Sequence, residues 1–279
     1  MPSDARRTPR RMTARVRSVF AGLTLGLLPL SGVQAEPDAR LDAVIDALTP
    51  TIAVEAIGDI TDPGRKLLAL RSYLRAGDGI RDRWSWTEAE ISAFQGSPAQ
   101  AALLAEVEAI KAHFAAQNPG FAIYSNTRVR SLDVQIAHWN ENASVGVAAE
   151  EIVSAFDAEV LSASDGDVEA DRAARWLKRF RNTARAHLAA PGLTRHGRAH
   201  AIDFQISRED GTLHARADSD RIETVWRAEG WDAALAGSVA AAGPSFTGPL
   251  TNPNEPWHYD YEPTEDAEAE IGPTGADDR

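Results

Sequence analysis

The chain has 279 residues, with 29 Lys+Arg against 41 Asp+Glu for a formal net charge of −12, and it contains no cysteine. With no basic stripe to displace counterions from a phosphate backbone, nucleic-acid binding is disfavoured. The missing cysteines exclude disulfides, thiolate zinc sites, a cysteine nucleophile and a lipid anchor on cysteine, so any metal must sit on histidine and carboxylate.

The first 35 residues read as an address. Arg6, Arg7, Arg10, Arg11, Arg15 and Arg17 form a basic start, Val19 to Leu30 is an apolar run, and Val33-Gln34-Ala35 is a small-x-small cleavage site. This predicts a secretory signal peptide cleaved after Ala35 and an exported, periplasmic protein. The apolar run is shorter than the ~20 residues of a membrane-spanning helix, so no span is expected in the mature protein. Met12-Thr13-Ala14 after Arg10-Arg11 lacks the apolar pair of a twin-arginine signal, which favours the general secretory route. Removing residues 1–35 takes away six arginines and one aspartate, moving the net charge from −12 to −17.

Residues 36–103 form an N-terminal helical segment. Leu41, Val44, Ile45 and Leu48, then Leu67, Leu68, Leu70 and Leu74, recur at helical spacing. Trp84 and Trp86 are expected to pack in the core, and Thr87 with Glu90 makes a capping box that starts a helix. A second helix spans Gln100 to Ala116 and stops at Asn118-Pro119-Gly120. Phe121 to Val129 is predicted as a strand, followed by a helix through Gln135 and Trp139 and further helices over Val147–Leu161 and Glu169–Leu188. Pro191-Gly192 breaks the chain. His200 to Ile206 alternates in period two, with Ile202, Phe204 and Ile206 on one face and Ala201, Asp203 and Gln205 on the other. A helix over Trp231–Ala242 precedes a Gly/Pro-rich loop and the strand His258 to Tyr261. Residues 263–279 are acidic with one large apolar side chain and are expected to be a disordered tail. The elements imply an α+β domain over 104–262, a small antiparallel sheet flanked by helices.

Two separated clusters carry the chemistry. Thr194 to Asp203 reads T-R-H-G-R-A-H-A-I-D and Glu255 to His258 reads E-P-W-H. His196, Asp203 and His258 can supply three nitrogen and oxygen ligands to a Zn2+ ion and leave a fourth position for water. If His258 enters a strand, Trp257 and Tyr259 pack into one face while His258 projects from the other, and Glu255 leans over the metal without ligating it. There it can act as general base and then general acid in a hydrolysis. His200 competes for ligation because it lies four after His196, but Gly197 follows His196 and a strand follows His200, which places His200 on the opposite face or the rim. His113, His138, His187 and His214, on predicted helices or in a polar loop, have no acidic or histidine partner at useful spacing.

These residues resemble the zinc D-Ala-D-Ala carboxypeptidases and related peptidoglycan peptidases, which share a fold with lysostaphin-type enzymes and the hedgehog signalling domain. Thr194, His196, Ala199, Ala201 and Asp203 fall on the family motif S-x-H-x-x-G-x-A-x-D, with Thr for Ser and Ala for Gly, and Glu255, Trp257 and His258 match E-x-W-H. Arg130-Ser131-Leu132-Asp133-Val134-Gln135 is similar to the family's R-S-x-x-x-Q. The resemblance spans about Val107 to Glu262 and implies that Arg130 stabilises the charge on the tetrahedral intermediate, with Arg128 as a competitor. It implies a peptidoglycan peptide substrate with a D-amino acid at the cleaved bond. Removal of a terminal D-alanine is the leading expectation, with Arg128, Arg195 or Arg198 open as partners for the substrate carboxylate. A cross-link endopeptidase and a non-catalytic zinc-containing wall-binding module remain alternatives, and the oligomeric state is not legible.

Overall fold

The computed structural model describes residues 37–164 and 166–262; the expected signal peptide and acidic tail lie outside the described residues. The chain opens with α1 (Pro37–Leu48), α2 (Val54–Asp59), α3 (Pro63–Ala76), α4 (Ile80–Arg83) and α5 (Glu88–Phe94). The capping box forms as expected: Thr87 accepts from the Glu90 amide while the Glu90 carboxylate accepts from the Thr87 amide. Next come α6 (Pro98–Gln117), capped by Ser97, and β1 (Phe121–Ser125). The strand is shorter than expected, because Asn126 Oδ1 accepts from the Arg128 amide and turns the chain out of the sheet.

Helices α7 (Leu132–Glu141), α8 (Ala143–Phe156) and α9 (Ala170–Arg179) follow. Asn142 caps α8, which begins at Ala143, four residues before the expected start at Val147, and residues 157–161 wind on as a π-helical turn. The helix expected to reach Leu188 stops at Arg179. Phe180 turns to extended backbone and stacks on Trp176 at 4.6 Å, and the Glu151 carboxylate captures the amides of Thr183 and Ala184 that a continuing helix would have used.

β2 (Ala201–Arg208), β3 (Leu213–Ala215), α10 (Trp231–Ala242), β4 (Phe246–Thr247) and β5 (His258–Tyr261) complete the described chain. The five strands form one antiparallel sheet in the order β1-β2-β5-β4, with β3 also paired to β2. The protein is thus α+β, a small antiparallel sheet flanked by helices.

Two apolar clusters hold this together. Leu41, Val44, Ile45, Leu67, Leu68 and Leu70 of the first helices pack with Trp139, Ile152, Phe156 and Leu177, so the N-terminal segment shares its core with residues 132–190. The buried side chains of α6, including Leu103, Val107, Ile110 and Phe114, join Leu235 and Val239 of α10 against Ile202, Phe204, Ile206 and Tyr259 of the sheet. Each buried Leu, Ile or Phe contributes about 1.5–3 kcal/mol of transfer free energy. The sheet face opposite this cluster is where the polar residues of β2 and β5 emerge.

Candidate metal centre

The site is built by strand register. β2 and β5 place Asp203 directly opposite His258, while Ile202 faces Tyr259 and Ala201 faces Asp260. Period-two alternation then sends Ile202 and Tyr259 into the core and Asp203, His258 and Asp260 to the other face. Trp257, 5 % exposed, anchors the entry to β5 in the core as expected. His196 arrives from a short 3-10 turn, Arg195–Arg198, and is buried.

His196 Nε2, His258 Nδ1 and Asp203 Oδ1 form a small triangle with sides of 3.3, 3.1 and 3.4 Å. Ligands held tetrahedrally at zinc distances lie about 3.3 Å apart, so the donor set fits such an ion in kind and spacing. Among the described residues this is the group of histidine and acidic side chains that converges in this way. Glu255 Oε2 lies 3.7 Å from His258 Nδ1 and stands beside the triangle rather than in it. Its position is set by backbone bonds: the Glu255 amide donates to Leu250 O and the Glu255 carbonyl accepts from the His258 amide.

The electrostatics follow from burial and proximity. Burial alone would push the Asp203 carboxyl up, but hydrogen bonds from His196 and His258 and the charge of Arg130 hold it well below the usual carboxylate range. Burial lowers His196. It would lower His258 too, but Asp203 and Asp260 override it and raise that imidazole to about 9. Burial raises Glu255, opposed by His258.

Around the triangle lie Asp260, which the sequence left unassigned, and Arg130 and Gln135, which it singled out. Asp260 Oδ1 sits 3.3 Å from His258 Nε2 and 3.1 Å from Arg195 Nε, so it fixes the imidazole with Nδ1 toward Asp203. Its signal was present in the sequence, two residues beyond His258 on the same strand face. Arg130 donates to Asp203 Oδ2 at 2.5 Å, opposite the oxygen that faces the histidines, and keeps further N–H groups on a side chain 31 % exposed. Gln135 Nε2 donates to Arg130 O and to Ser85 Oγ, its Oε1 accepts from the Gly192 amide, and the Arg130 amide donates to His196 O. The R-S-x-x-x-Q segment is therefore knitted to the turn carrying His196.

The N-terminal segment joins the same network. The amides of Ser85 and Trp86 donate to Gly192 O and Gly197 O. Ala199, where the family motif has Gly, adopts φ 57°, a left-handed conformation that costs a residue with a Cβ about 1 kcal/mol.

Other residues singled out in the sequence are elsewhere. His200 packs edge-on against Trp86 at 6.4 Å and does not join the triangle. Arg195 is engaged by Asp260 and Glu262, Arg198 donates to Asp82 O, and Arg128 is exposed. His214 lies on β3, and Glu229 lies 2.6 Å from its Nε2; this acidic partner, fifteen residues away, escaped any local pattern. Comparison with family models, curated proteins and solved structures finds no match for the chain.

Proposed function

We propose that the protein is a zinc-dependent peptidase, exported and acting on peptidoglycan stem peptides, that hydrolyses a peptide bond next to a D-amino acid. The observation that carries this reading is the buried His196, Asp203 and His258 triangle with the non-ligating Glu255 at its side. A site used only for structure has no need of that extra carboxylate. The α+β architecture and the T-x-H, A-x-D and E-x-W-H residues together support a fold like that of the zinc D-Ala-D-Ala carboxypeptidases and the hedgehog domain.

His196, Asp203 and His258 would hold the ion, which when bound supplies Lewis acidity and a lowered pKa for water. Glu255 Oε2 takes the proton of the attacking water and returns it to the leaving amine nitrogen. Its buried setting, which favours the neutral form, helps it act as both acceptor and donor. Arg130 serves two ends: one N–H orients Asp203, and its remaining donors are available to the carbonyl oxygen as that atom gains negative charge. Asp260 holds His258 in the tautomer that leaves Nδ1 free.

The test is mass spectrometry of pentapeptide monomers and cross-linked dimers incubated with the mature protein, with and without a zinc chelator. Loss of one terminal alanine, abolished by the chelator, is the expected result. Conversion of dimers to monomers would make the enzyme an endopeptidase. Zinc bound with neither substrate cut would refute the reading.

A further inference from the structure

A cleft of about 420 Å³ opens between α3 and the segment that follows α9, and four arginines line it: Arg71 and Arg75 from the helix, Arg181 and Arg185 from the segment. No Asp or Glu is among its lining residues, in a chain whose net charge is −12. Among the described residues none of the four arginines takes part in an ion pair.

They are held in place by neutral acceptors instead. Arg71 Nη1 donates to Asn182 Oδ1 while its Nε is buried without a partner. Arg75 donates to the carbonyls of Lys178 and Phe180, and Arg181 to Lys178 O. Glu151 accepts from the amides of Thr183 and Ala184 and so fixes the segment; its charge reaches Arg71 and offsets part of the positive charge, without a direct ion pair. Burial first, then the charges of Arg75 and Arg181, lower Arg71 to about 10, with Glu151 opposing. Four guanidinium groups lining one cavity with no direct ion pair make a receptor for carboxylate or phosphate oxygens.

One side chain ties the cleft to the loop that precedes Glu255. Arg185 Nη2 donates to Asn252 Oδ1, in the loop that delivers Glu255. We infer that this arginine-lined cleft binds the carboxylate-bearing stretch of an acidic peptide whose cleaved bond lies at the metal centre. The inference rests on the peptidase reading for the identity of its ligand.

Binding is measured by calorimetry on the full mature chain freed of metal. The probes are an acetylated tetrapeptide with two glutamates and its glutamine counterpart, at low and at raised salt. The glutamate peptide should bind about tenfold tighter, and the difference should shrink as salt screens the contacts. Arg71 is half-buried, so the variant is the exposed pair Arg181→Gln with Arg185→Gln, in which both peptides should bind alike. Equal binding of the two peptides to the native chain would overturn the inference, as would a preference that persists in the variant. Binding of inorganic phosphate at this cleft without binding of either peptide would assign the site to phosphate esters and overturn it too. Because no metal is present, a chain that prefers the glutamate peptide yet cleaves nothing once zinc is restored would sink the peptidase reading and leave the anion site standing.

Discussion

Gly197 is the residue where the geometry of the site leaves least room. A Cβ there would lie 2.0 Å from Ser85 Oγ, 2.6 Å from Ser85 Cβ and 2.7 Å from Gln135 Nε2. In Gly197→Ala one side must give way: Ser85 and Gln135 move apart, or the 195–198 turn swings out with His196. Overpacking of this kind costs about 1–3 kcal/mol, and loss of the Gln135–Ser85 hydrogen bond adds about 1 kcal/mol. For a domain of this size the resulting ~3 kcal/mol lowers the melting temperature by roughly 6–12 °C. Zinc affinity should fall as well, because His196 rides on the turn that must move and its carbonyl accepts from the Arg130 amide. The assays are thermal melting by circular dichroism and zinc titration against a competing chelator. Ser85→Gly combined with Gly197→Ala removes the two clashing atoms of Ser85, leaves Gln135 Nε2 to shift, and should recover the part of the loss that comes from overpacking against Ser85. A Gly197→Ala protein that melts and binds zinc like the parent would refute the packing argument.

Glu255→Gln should keep zinc affinity near native while lowering kcat by about 100- to 10,000-fold, as measured by stoichiometric metal analysis and turnover on the same preparation. Because burial raises the Glu255 carboxyl, the acid limb of the rate should lie above the ordinary carboxylate range: as pH falls through the raised value, Glu255 takes up a proton and can no longer accept one. In the metal-free protein His258 titrates at about 9, so zinc binding at pH 7–8 must expel its proton. Calorimetry in buffers of different ionisation enthalpy should show about one proton released from this group, and affinity should weaken as pH falls. Asp260→Ala frees the His258 ring and should weaken zinc binding by about 10- to 100-fold without unfolding the sheet, read by competition titration and circular dichroism.

The candidate ligands were legible because they obey local rules. Alternation over His200–Ile206 put Asp203 opposite the apolar face, and Trp257 and Tyr259 did the same for His258. What no local pattern carries is the pairing itself: Asp203 and His258 stand 55 residues apart, and their direct opposition is a property of register between β2 and β5. The helices of the first segment were visible in their spacing, as was the box at Thr87 and Glu90. Their relation to the site was not, since it runs through backbone bonds from Ser85 and Trp86 to Gly192 and Gly197. The helix predicted to Leu188 failed for a related reason, because Glu151 on a neighbouring helix claims the amides of 183 and 184. There a tertiary partner outweighed a weak helical preference.

The candidate metal ligands are tied to both apolar clusters, and that shapes what the site can do. Asp203 and His258 are rooted in the sheet cluster, whereas the turn with His196 is tied through Gly192, Gln135 and Ser85 to elements of the helical cluster. Arg130 links the two, with its side chain on Asp203 and its amide on His196 O. A cation held by all three side chains would therefore fasten one cluster to the other, and a ligand at 1,000 times its dissociation constant adds about 4 kcal/mol to such a structure. The same junction carries the path from the arginine cleft, since Arg185 belongs to the segment packed on the helical cluster while Asn252 and Glu255 lead into β5. A displacement of the helical cluster against the sheet would thus change the distance between His196 and His258 and the approach to Glu255 together. Were an acidic chain bound along the cleft, its direct link to the loop before Glu255 would be the Arg185–Asn252 hydrogen bond, so Asn252→Ala should leave binding at the cleft intact while separating it from the metal centre.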